Sequence, residues 1–89
     1  MELTFNKVND TWVAEFEAAG DFNLHIEKQK GRLYLYQSTV QGGGFDIVES
    51  FKPAAEDEVL DFDFTALVYP KYMKVVSFAP VSVGVVTEA

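Results

Sequence analysis

"DFNLHIEKQKGRLYLYQSTV", residues 21–40, decides the fold. Phe22, Leu24 and Ile26 alternate with Asn23, His25 and Glu27. Leu33 and Leu35 then alternate with Tyr34 and Tyr36. Period two is the signature of a strand with one buried face. Between the two runs, Gln29-Lys30-Gly31 is a short connection, and its glycine can take positive φ. The spacing predicts strands over 21–28 and 32–40. Joined as a hairpin, with Leu24, Ile26, Leu33 and Leu35 inward, they place Tyr34 and Tyr36 on the outside beside His25.

The same period runs through most of the chain. "ELTFNKV" sets Leu3 and Phe5 against Thr4 and Asn6, and Asn9-Asp10 breaks it as a turn. "TWVAEFEA" puts Trp12, Ala14 and Phe16 opposite Glu15 and Glu17. "VLDFDFTALVY" puts Leu60, Phe62, Phe64 and Ala66 opposite Asp61, Asp63 and Thr65. Pro70 and Pro80 mark corners or edges, because proline cannot donate to a ladder. No segment carries a sustained 3.6 period; the best helix candidate is one turn at "PAAEDEV", opened by Pro53. About eight short strands with turns every 8–12 residues predict an all-β fold. The expectation is a small antiparallel β-sandwich, or a partly open barrel of about 7–8 strands, as one domain over residues 1–89.

Composition narrows the function classes. The 89 residues carry a net charge of −7, from 14 acids against 7 bases. Nucleic-acid affinity rests on phosphate contacts, which an acidic chain repels, so no nucleic-acid partner is expected. Lys28, Lys30 and Arg32 surround one turn, the ordinary pattern of a solvated loop. No cysteine is present, which removes disulfides, thiol catalysis and Cys-based zinc sites. No apolar run is long enough for a membrane helix, and "MELTFNKVND" lacks the shape of a signal peptide. The expected location is therefore cytoplasmic, or inside an assembled particle, with no membrane partner.

Gly42, Gly43 and Gly44 in "QGGGFDI" invite a phosphate-loop reading. A P-loop needs a lysine and a following helix, yet Gly44 is followed by strand-like Phe45-Asp46-Ile47-Val48. The glycines predict a hairpin loop or bulge that a partner would order. Glu56, Asp57, Glu58, Asp61 and Asp63 form an acidic cluster. Asp61 and Asp63 share a strand face with Cα atoms about 6.7 Å apart. EF-hand spacing is not met, so a solvated face is the first reading and calcium the sharper alternative. His25 is the only histidine, and no serine sits in a nucleophile elbow. Neither a catalytic residue nor a metal or cofactor is expected.

Interaction residues are the remaining lead. Tyr34, Tyr36 and His25 form one candidate patch, since tyrosines suit interfaces. In "KVVSFAPVSVGVV" both strand faces are apolar. Phe78, Val81, Val83 and Val85 are then either core or a surface covered by a second subunit. The expected function is a non-enzymatic structural or assembly subunit acting on a protein partner or as a homo-oligomer. A phage or prophage virion component is one such setting by analogy. The alternative is a carbohydrate-binding module using the tyrosine face.

Overall fold

Strands that alternate in polarity bury one face each, and two such faces close a core by stacking. The computed structural model describes residues 1–55 and 57–87. It contains β1 (Asn6–Val8), β2 (Thr11–Ala18), β3 (Phe22–Glu27), β4 (Leu33–Ser38), β5 (Asp46–Phe51), β6 (Leu60–Phe64), β7 (Lys71–Ser77) and β8 (Ser82–Thr87). One sheet has the order β1-β2-β7-β4-β5 and the other β6-β3-β8. Every strand pair is antiparallel. The result is a small β-sandwich, as the period predicts. No helix forms among the described residues, and the segment after Pro53 is irregular, with Asp57 at φ 65°.

The inward positions are those the alternation assigns. Phe22, Leu24, Ile26, Phe64, Val83 and Val85 are buried on the three-stranded sheet. Ala14, Leu33, Leu35, Met73 and Val75 face them from the five-stranded sheet. Two edge-to-face aromatic pairs tie the sheets together: Phe16 with Phe22 at 5.3 Å and Phe51 with Phe62 at 5.6 Å. Such pairs add about 0.5–1.5 kcal/mol beyond the area they bury. At the end opposite the 28–32 loop, the Tyr69 hydroxyl donates to Asp21 and accepts from the Ala66 amide. That anchor holds a loop whose Leu67 and Val68 are exposed. "VLDFDFTALVY" therefore stops being a strand at Phe64, before Ala66.

The hairpin over residues 21–40 does not form. β3 and β4 belong to different sheets, and residues 28–32 cross between them. The physical reason is that alternation fixes only which side of a strand meets the core. A hairpin and a sandwich corner satisfy it equally, and five residues can span the roughly 10 Å between sheets. Lys28 turns the crossing in the left-handed region, at φ 58°. Gln29, 2% exposed, folds into the core end and donates its amide to the carbonyls of Gly31, Phe51 and Lys52.

Each sheet edge is blunted. β1 has three residues, and its Lys7 stands opposite inward-facing Trp12 with Nζ 5.5 Å from the ring. β5 carries a bulge between the partners of Leu35 and Tyr36 and sets Glu49 opposite inward-facing Leu35. The free side of β8 is covered by the N-terminus: Leu3 N donates to Val83 O at 2.8 Å and Val85 N to Met1 O at 2.7 Å. β6 places Asp61 and Asp63 on its outer face. Inward charge, bulges and short strands are the usual means of preventing edge-to-edge pairing.

Candidate functional site

The outer face of the five-stranded sheet is built by register. Val13, Val76, Tyr34 and Ser50 lie in one row across β2, β7, β4 and β5. Glu15, Lys74, Tyr36 and Ile47 lie in the next. Phe78, just past β7, packs edge-on against Tyr34 at 5.8 Å and 73°. Tyr34 and Tyr36 are 6.4 Å apart and tilted by 42°. The Lys74 ammonium lies 5.1 Å from the Phe45 ring and 6.0 Å from the Tyr36 ring. Tyr34 and Tyr36 are half-buried, while Ile47 at 57% and Phe78 at 54% are exposed. No element among the described residues packs over this face.

His25 is on the other outer face, so the patch that joined it to the tyrosines is corrected. It stands in the middle of the three-stranded sheet, opposite Asp61 on β6 and Gly84 on β8. Its Nδ1 is 2.9 Å from Asp61 Oδ1, and its Nε2 is 3.6 Å from Glu27 Oε1. The Asp61 hydrogen bond raises the imidazole pKa above its ordinary value, against a smaller opposing effect of burial. Asn23 donates to Asp63 at 3.0 Å in the next row. Glu2 joins this face by accepting from Ser82 at 2.6 Å. The sandwich thus has one aromatic face and one acidic face.

Val83 and Val85 are corrected as well. They point into the core, 0% and 4% exposed, and no second subunit can reach them. β8 turns Ser82, Gly84 and Val86 outward instead. Val81 packs partly against the core, and Phe78 alone of the four stands exposed. The apolar C-terminal run is explained by β7 lying between β2 and β4, where its inner residues are core and its outer Val76 joins the aromatic face.

The triple glycine connects β4 to β5, with strands on both sides. Gly42 and Gly44 have φ of 75° and 45°, where a side chain is strained. Ser38, beneath the loop, accepts from Val40 N at 3.0 Å and directs its hydroxyl toward the carbonyls of Val40 and Gly43. The loop therefore closes on itself. In the acidic cluster, Glu56 lies outside the described residues, while Asp61 and Asp63 are engaged by His25 and Asn23. Among the described residues no three His, Asp or Glu side chains gather as a metal site.

Alternation and composition point to Tyr34, Tyr36 and Phe78 but not to Val13, Val76, Phe45 and Ile47. Those four join the patch only through strand order, which one-dimensional alternation does not carry. No protein-family model matches the chain, nor does any curated protein or solved structure.

Proposed function

We propose that this chain is a non-enzymatic structural or assembly subunit, and that it binds a protein partner or further copies of itself through the outer face of the five-stranded sheet. The observation that carries this reading is the run of Tyr34, Tyr36, Phe78, Phe45, Ile47, Val13 and Val76 across four strands, on which no element among the described residues packs. Contiguous exposed apolar area marks contact surfaces, and aromatic anchors supply most of the affinity at such surfaces. The guarded edges support the same reading, because contact through strand addition is discouraged while contact through the face is not. A subunit of a phage-type particle is one setting for such a face, by analogy alone.

Sugar stacking on the tyrosines is the weaker reading. A sugar needs an open ring face, whereas Lys74 sits over Tyr36 and Phe78 packs against Tyr34. Multi-angle light scattering against concentration tests self-assembly, and pull-down from the native host tests a hetero-partner. The Tyr34→Ala/Tyr36→Ala variant is expected to lose at least tenfold in association, since two anchor truncations commonly remove more than 2 kcal/mol. A variant that keeps both its fold and its full association sinks the proposal.

A further inference from the structure

Three loops meet at one end of the sandwich: residues 28–32, 52–59 and 78–81. Between them is an open cavity of about 880 Å³. Volumes of roughly 300–1,000 Å³ are those of small-molecule sites. Ala54, Pro80 and Val81 give it an apolar side, while Lys28, Lys30, Asp57 and Ser82 supply polar groups. The wall includes Gln29, whose amide nitrogen holds carbonyls from two of the three loops. The cavity is therefore braced from behind. The Gln29 Oε1 atom is buried and has no donor among the described residues.

The charges are equally specific. Four of the seven basic residues, Lys28, Lys30, Arg32 and Lys52, are in or beside these loops, together with three acids of the 52–59 loop, Glu56, Asp57 and Glu58. Among the described residues only His25 makes an ion pair, so Lys28 and Lys30 are not neutralised by Asp57. Two lysines against one aspartate on the cavity wall, in a chain of net charge −7, favour an anion. Phosphate, a dianion near neutral pH, is the less suited anion, because Asp57 lines the same wall and repels a double charge more than a single one. A monoanion with hydroxyl donors fits better: its carboxylate meets the lysines, and its hydroxyls meet Asp57 and Ser82.

We propose that this cavity binds a hydroxylated carboxylic acid of monosaccharide size, a sugar acid. The site does not use Tyr34 or Tyr36, so it stands independently of the assembly reading. The test is an amide-shift titration with D-glucuronate, beside D-glucose and sodium acetate. Saturable shifts confined to residues 28–30, 54–55, 57 and 81–82 are expected by roughly 50 mM, enough to fill a millimolar site. Glucose and acetate, each lacking half of the recognised chemistry, are expected to bind at least about tenfold more weakly. Lys28→Gln/Lys30→Gln should weaken glucuronate binding by a similar factor, and added salt should weaken it in the unmodified protein. The proposal is overturned by shifts that never saturate, by equal response to glucose, or by binding indifferent to salt.

Discussion

His25 is a charge-sensitive residue, and its neighbours set the sign of its effect. Asp61 and Glu27 flank the ring from β6 and from its own strand, and Gly84 on β8 brings no side chain toward it. Asp63 and Glu2 lie further along the same face. The folded-state pKa is raised, led by the Asp61 hydrogen bond. A raised pKa means that the folded state holds the proton more tightly than the unfolded chain does. The stabilisation is complete below the unfolded histidine value of about 6.5 and disappears as pH rises through the folded value. Following the His25 ring resonances against pH should give a midpoint above 6.5, and Asp61→Asn should lower it. A midpoint unmoved by Asp61→Asn would show that the contact does not set the charge.

Gly31 shows how tightly the crossing element is packed. A Cβ there would stand 3.0 Å from both the Ala79 Cβ and the Phe78 carbonyl carbon. Because the second neighbour is backbone, the 78–81 loop would have to move. Gly31→Ala should lose about 1–3 kcal/mol, as overpacking does. Gly20→Ala, with nothing within 4 Å of its Cβ, should be close to neutral. Urea midpoints of the two variants check this, and equal midpoints would mean that the loops separate easily. The same crossing marks the limit of what the sequence discloses. Inward and outward assignments for Leu24, Ile26, Leu33 and Leu35 follow from alternation, and all four are fully buried. The partner of each strand does not follow, because pairing depends on contacts remote in sequence. Hence alternation marks Tyr34 and Tyr36 as an outward pair, but it neither places His25 on the other sheet nor decides between core and surface for Val83 and Val85.

The two faces and four edges of the whole molecule divide its contacts. Its radius of gyration, 12.4 Å, is close to the roughly 12 Å expected for a packed chain of this length. So small a body has little interior in which to hide a contact surface. Its faces remain available, and its edges are closed by Lys7, the β5 bulge with Glu49, the Met1–Leu3 cover and the β6 acids. Glu49 is the most consequential of these guards, because β5 is the longer free edge of the larger sheet and borders the aromatic face through Ile47. Glu49→Val leaves "DIVVSF" at that edge: apolar, β-branched and stripped of its edge charge. Light scattering should then show association growing with concentration beyond that of the unmodified chain. This edge-driven association should survive Tyr34→Ala/Tyr36→Ala, whereas association through the face should not. If Glu49→Val stays as dispersed as the unmodified protein at about 1 mM, well above the level at which weak edge contacts form, the bulge alone is closing the edge.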